Sequence, residues 1–421
     1  MRDLLRSRPI FSWALYDWAN SAFATTVMAG FFPVFFKQYW SAGVSAQEST
    51  LRLGTANSVA SLIVALLAPM LGAIADRSPV TKKLLLGFAG LGVATTAALA
   101  AVGPGQWWTA SLLYTGACVG FAASIGLYDS LIVAVASDAE RDRASSLGYA
   151  LGYLGGGLLF AINVAMTLKP QWFGLADASQ AVRASFVLVA LWWAAFSVPL
   201  LLRVPEPHPG GLAPWRAALG GFRQLAGTVR KLTKMRNVWL FLLAYWLYID
   251  GVDTVIRMAV DYGLSLGLQS KDLMIALLIV QFVGFPAAIG FGRIGGAIGS
   301  KRAIALAIAV YVGVTVFAAQ MRTAGEFYAM AVVIGLVQGG VQALSRSLFS
   351  RLIPASEAAE LFGFYNMLGK FAAILGPALM GWVGVLTGSP RISILSISVL
   401  LLAGGGLLLL VDDRPSGERL A

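Results

Sequence analysis

Histidine and cysteine occur once each in the 421 residues, as His208 and Cys118. A single cysteine excludes a disulfide within the chain, and a single histidine excludes a histidine proton relay or a His-rich zinc site. No nucleophile–base pair or metal-ligand cluster emerges elsewhere, so the chain does not read as an enzyme, and neither a cofactor nor a metal is expected. Charge is scarce too: charged residues make up 12% of the chain against 58% hydrophobic, which is the composition of an integral membrane protein. Acids are outnumbered, 20 to 31 Lys and Arg, giving a net charge of +11. That excess would suit nucleic acid only if it formed one patch, and here the basic residues are scattered between apolar segments. The expected partner is the lipid bilayer, not nucleic acid.

What the chain has in abundance is apolar runs of membrane length. A helix needs about 20 apolar residues to cross the hydrocarbon, and twelve such spans can be read, at roughly 11–36, 51–75, 84–102, 107–135, 144–167, 184–203, 237–260, 273–294, 303–321, 327–350, 362–386 and 392–410. The basic segment Met1 to Pro9 precedes an apolar span too long for a signal-peptide core and without a convincing cleavage site, so that span is read as the first helix. With the N-terminus inside, Lys37, Arg52, Lys169, Arg183, Lys271, Arg322 and Arg391 fall outside, and Arg257 and Lys370 lie within spans. All other Lys and Arg then lie inside, and the positive-inside rule places both termini in the cytoplasm. The longest hydrophilic stretch, 204–236, carries His208 and divides the chain into an N-terminal half, 1–203, and a C-terminal half, 237–421.

The halves share features. Asp17-x-x-Asn20 in the first span is answered by Asp250-x-x-Asp253 in the seventh, each preceded by Tyr and Trp. Pro69 and Lys82-Lys83 are answered by Pro286 and Lys301-Arg302, and Ser130-Leu131 by Ser347-Leu348, at a nearly common offset. Two six-span halves of this kind suggest a duplicated transporter.

Twelve spans, a central basic loop and two similar halves resemble the major facilitator superfamily. Its loop pattern between helices two and three is partly present as Gly72-Ala73-Ile74-Ala75-Asp76-Arg77 followed by Lys82-Lys83, with Pro79 in place of the second Gly. The resemblance implies a gate role for Asp76 and Arg77; a solvated charged turn is the alternative. A narrower resemblance rests on Tyr16-Asp17-Trp18-Ala19-Asn20-Ser21-Ala22-Phe23, Asp250-Gly251-Val252, Gln342-Ala343-Leu344-Ser345-Arg346-Ser347 and Gly363-Phe364-Tyr365-Asn366 with Gly369-Lys370. These blocks look like the vacuole-effluxer family, the autophagy-related branch of that superfamily. The fold it implies is all-α and integral to the membrane, with twelve helices in two six-helix halves. The function it implies is efflux of a small solute, amino acids being associated with the fungal branch. In so short a chain a bacterial inner-membrane protein is expected rather than a vacuolar one, working as a monomer.

Charges inside spans single out the site. A carboxylate in lipid costs roughly 2.5–3.5 kcal/mol even on the lenient insertion scale, which makes an intramembrane acid a functional candidate by default. Asp17 has no basic residue within a turn on its own helix, and burial without a cation favours the neutral acid, so Asp17 is the expected proton carrier. Asp253 and Arg257, four residues apart, share a helix face and are expected to pair, keeping Asp253 ionised. Asp250, Asp253 and Arg257 together cost about 9 kcal/mol at the midplane against about 7 returned by the apolar positions of the span, so this face must avoid lipid. A zwitterion needs a cation for its carboxylate and an acid for its ammonium, which suits Arg346 or Arg257 opposite Asp250. Tyr16, Asn20, Tyr365, Asn366 and Lys370 complete the candidate site. Each charge has a structural alternative, as a helix-to-helix tie or, for Arg346 and Arg351, as an inner-leaflet anchor. Proton-coupled efflux is the preferred reading; a facilitative or importing carrier of another small molecule or lipid, and a non-transporting solute sensor, are the alternatives.

Overall fold

Apolar stretches with no water to serve their backbone must satisfy every N–H and C=O within the segment, and each therefore becomes a helix. The computed structural model describes residues 7–44, 46–207, 232, 235–265, 268 and 270–413. The expected His208 loop and most of 204–236 lie outside them. The helices are α1 (Arg8–Trp40), α2 (Ala46–Arg77), α3 (Thr81–Ala98, with one tighter turn to Ala101), α4 (Trp107–Ser130, resuming over Ile132–Val135), α5 (Arg141–Leu168) and α6 (Ala178–Arg203). They continue as α7 (Arg236–Ser265), α8 (Ser270–Ile298), α9 (Ser300–Gln320), α10 (Ala324–Leu352), α11 (Ala358–Thr387) and α12 (Pro390–Ser396 and Ser398–Leu409). Among the described residues, 11 helical segments are long and apolar enough to cross a membrane; the 30-residue α11 stands outside that set.

Most helices overrun the apolar spans by about a turn at one or both ends, and polar residues cap some of these ends. Asp177 accepts from the Gln180 N–H at 2.7 Å, and Thr323 with Glu326 forms a reciprocal capping box at the start of α10. Gly388, at φ 63°, lies in the left-handed region that ends α11. Within α1, turns widen to π geometry over Phe23–Phe31 and Phe36–Trp40. Pro33 lies between these stretches, and its ring and missing N–H disturb the regular ladder there.

Packing divides the chain into two compact units, Met1–Val135 with Leu151–Phe222, and Ala136–Ala150 with Arg223–Ala421. The first turns of α5 thus pack with the second unit. Within each unit the same helix pairs recur: α1 on α6, α2 on α4, α3 on α4 and α3 on α6 are matched by α7 on α12, α8 on α10, α9 on α10 and α9 on α12. The outward surfaces carry large apolar side chains, among them Leu66, Leu191, Leu202, Trp382 and Leu402, which lipid accommodates and water would not.

Basic side chains clamp one antiparallel pair in each unit at both ends. Lys82 Nζ, at the start of α3, donates to the Leu201 and Val204 carbonyls at the end of α6 (3.0 and 2.8 Å), and Arg183, at the start of α6, donates to Ala100 at the end of α3 (2.5 Å). In the second unit, Lys301 of α9 donates to Val411 beyond α12 (2.7 Å), and Arg391 of α12 to Ala319 and Met321 at the end of α9 (2.8 and 2.9 Å). Each cation meets the orphan carbonyls and negative dipole end of its partner helix. Lys82→Met is expected to cost about 1–3 kcal/mol, seen as a lower thermal midpoint of the purified protein, whereas Lys83→Met, at an exposed neighbour, leaves it unchanged.

Candidate functional site

In the first unit, α1 places Tyr16, Asp17 and Asn20 in the interior, 0%, 8% and 2% exposed. Asp17 is tied to α4: its Oδ2 accepts a hydrogen bond from the Tyr128 hydroxyl at 2.8 Å. Tyr128 is itself held by α1, since Trp13 stacks on its ring at 4.6 Å and donates its indole N–H to the Tyr128 carbonyl at 3.0 Å. The Tyr16 ring lies 5.0 Å from that of Tyr128. Asn20 Nδ2 is buried with no hydrogen-bond partner among the described residues. Glycines let α5 approach this face: a Cβ at Gly152 would stand 3.5 Å from Asp17 Cβ and 2.6 Å from Ser21 Oγ, and one at Gly155 would overlap Trp18. The glycine run in α5 therefore serves close packing.

In the second unit, Asp250 is fully buried at the middle of α7. Its Oδ1 accepts from the Gly376 N–H at 2.9 Å and from Thr254 Oγ1 at 3.2 Å, and its Oδ2 from the Leu375 N–H at 3.1 Å. Asp253 is half-buried, while the Arg257 side chain lies outside the described residues, and with it the expected Asp253–Arg257 pair. The Lys370 side chain also lies outside them. Tyr365 is buried between Tyr245 and Phe349, with ring centroids at 4.1 and 4.9 Å, and Asn366 donates to the Phe362 carbonyl one turn back. Tyr248 and Ser345 share a 2.6 Å hydrogen bond from α7 to α10.

Arg346, 1% exposed on α10, is held by the first turns of α5. Its Nε donates to Ser145 Oγ at 2.8 Å, its Nη2 to the Ser145 carbonyl at 2.9 Å, and its guanidinium lies 4.4 Å over the Tyr149 ring. Ser145 Oγ in turn donates to the Ala343 carbonyl. One turn away, Asp142 pairs with Arg351 and accepts from Ser300 Oγ at 2.9 Å, and Arg141 donates to the Ser350 carbonyl at 3.0 Å. Before α5 begins, the Ser137 hydroxyl and N–H both donate to Glu140 and hold its carboxyl below its usual range. Asp76 is half-buried and Arg77 exposed at the end of α2.

The structure thus gathers Tyr16, Asp17 and Asn20 in one place and Asp250, Tyr365 and Arg346 in another unit. Sequence reading missed Tyr128, Ser145, Tyr149 and Asp142. Asp142 sits in the run Glu140-Arg141-Asp142-Arg143, which reads as an ordinary charged loop; Tyr128 carries no charge to flag it.

Solved structures of transporters share this architecture. The human organic anion transporter MFSD10 (TETRAN) matches 95% of this chain and 99% of its own with a TM-score of 0.74 at 15% identity. The proton:xylose symporter XylE, a major facilitator superfamily protein, matches 96% of this chain and 94% of its own with a TM-score of 0.69 at 14% identity. The fold is that of a major facilitator superfamily transporter. Along the sequence, it is 37% identical over 416 residues to the uncharacterized MFS-type transporter YxiO of Bacillus subtilis, covering 97% of this chain and 95% of that one. It is 27% identical over 301 residues to autophagy-related protein 22 of Yarrowia lipolytica, covering 64% of this chain and 50% of that one, so it spans about half the length of this fungal relative. The family model described as vacuole effluxer Atg22 like matches residues 53–419, and the chain belongs to that family.

Tyr128→Phe keeps the Trp13 stack and removes only the hydroxyl that serves Asp17. It is expected to lower stability by about 1–3 kcal/mol, measured as a drop in thermal midpoint of the purified protein.

Proposed function

We propose that this protein is a proton-coupled exporter of a small zwitterionic solute, an amino acid or a close analogue. In this reading it crosses the bacterial cytoplasmic membrane twelve times, as a monomer with both termini in the cytoplasm. Its halves, 1–203 and 237–421, are joined by 204–236 and alternate in exposing the substrate site. Efflux is supported by the family's description as vacuole effluxers, and the bacterial membrane by the likeness to the Bacillus subtilis transporter.

The observation that carries the reading is the buried Asp17 carboxylate, which accepts from a neutral phenol beside an Asn20 amide whose Nδ2 is unfilled. A hydroxyl can serve a carboxylate or accept from a carboxylic acid, so the site tolerates proton gain and loss without stranding a buried charge. Asp17 carries the proton, with Tyr16 and Asn20 beside it. In the second unit Asp250, Asp253, Arg257, Arg346, Tyr365, Asn366 and Lys370 supply the substrate contacts, Arg346 contributing the positive charge for the carboxylate. Asp76 and Arg77 act as gate residues, with the Asp142–Arg351 pair as a further closure whose buried charges must part together.

In proteoliposomes holding only this protein, an imposed proton gradient should accelerate amino-acid flux. Asp17→Asn should abolish that acceleration while leaving counterflow, and full gradient dependence in this variant would remove Asp17 from the role. A thermal-shift screen with amino acids, short peptides, nucleosides and lipids should show stabilisation by amino acids, since a ligand of the folded state raises the midpoint. Stabilisation by lipids alone would overturn the zwitterion assignment.

A further inference from the structure

We propose that Asp250, beyond the substrate contact assigned to it above, latches the proline step of α11 onto α7, and that α11 bends during transport while α5, its counterpart in the first half, does not. A carboxylate seldom takes backbone N–H groups from the middle of a neighbouring helix, because those groups are already spent on carbonyls four residues back. Here two consecutive ones, Leu375 and Gly376, donate to Asp250 at 3.1 and 2.9 Å. Pro377 follows immediately. It brings no N–H and its ring crowds the carbonyl of residue 373, so the ladder is weakest where the carboxylate enters.

Three further features are fitted to this contact. Gly376 is obligatory, since a Cβ there would overlap Thr254 Oγ1 and lie 2.8 Å from Asp250 Oδ1. Thr254 follows Asp250 by one turn and donates to the same oxygen. Behind the acid, Gly251 packs directly on Leu401 of α12, which leaves α7 no room to withdraw. The first unit differs: α5 carries Gly155-Gly156-Gly157 with no proline, and the Asp17 oxygen that faces α4 takes a tyrosine hydroxyl. The asymmetry places the flexible joint in the second unit.

Hydrogen exchange of the full-length protein in nanodiscs tests the latch. Asp250→Asn keeps the shape but loses one carboxylate acceptor, so the amides of Leu375 and Gly376 should exchange about tenfold faster, with α5 amides unchanged. Should that variant fail to fold, Thr254→Val should give about a threefold rise at Gly376. Adding Pro377→Ala to Asp250→Asn restores an N–H, removes the ring and should return exchange to the slow rate, a rescue that mere loss of packing would not give. Unchanged exchange in the single variants, an equal rise along α5, or no rescue would each overturn the latch. Spin labels at Leu386 and Leu402, both exposed, in a Cys118→Ala background should report two distances that collapse to one in Pro377→Ala, while a Leu168–Leu191 pair reports one in both. A single distance for the α11 pair before Pro377→Ala would overturn the bending.

Discussion

In hydrocarbon, a polar group has no solvent to fall back on, and this constraint governs every level of the molecule. It turns each apolar run into a helix and leaves only the helix ends and the intramembrane charges to be accommodated. The ends are met by side chains of opposite dipole sense, such as Lys82 and Arg391, and by capping boxes such as Thr323 with Glu326. The charges are met one by one: Asp17 by a phenol, Asp250 by freed backbone, Arg346 by a serine and a tyrosine ring, and Asp142 by Arg351 and Ser300.

These partnerships differ in what they permit. A phenol can donate to a carboxylate or accept from a carboxylic acid, as the Tyr128 hydroxyl can toward Asp17. Backbone N–H groups serve only an acceptor, so both Asp250 oxygens are held in one place. Arg346 keeps a guanidinium face against Tyr149 and spends its Nε and Nη2 on a single serine, so its geometry is rigid before any substrate arrives. Recurring helix pairs thereby host acids with different partners at matched positions, Asp17 and Asp250.

Most membrane-length helices were readable because apolar length is a one-dimensional property, and Lys82 and Lys301 stood out by their common offset. Their use as helix clamps was not readable, because a carbonyl partner has no residue signature. The same reason hid the latch: Asp250 and the Gly376-Pro377 step are each visible in the sequence, but the bond joins an acid to a backbone. The widened turns of α1 leave only Pro33 as a trace. Asp142 was visible only as one charge in a charged run, and its pairing with Arg351 across 209 residues has no signature in the sequence.

The reciprocal clamps also bear on how the chain is made. Carbonyls at the end of α3 wait for Arg183, and the Lys82 ammonium waits for the end of α6, so neither is satisfied until the sixth helix has entered the membrane. The α9–α12 pair repeats this, with Arg391 and Lys301 completing the second set only when the last helix arrives. Synthesis therefore passes through two points of closure, one per half.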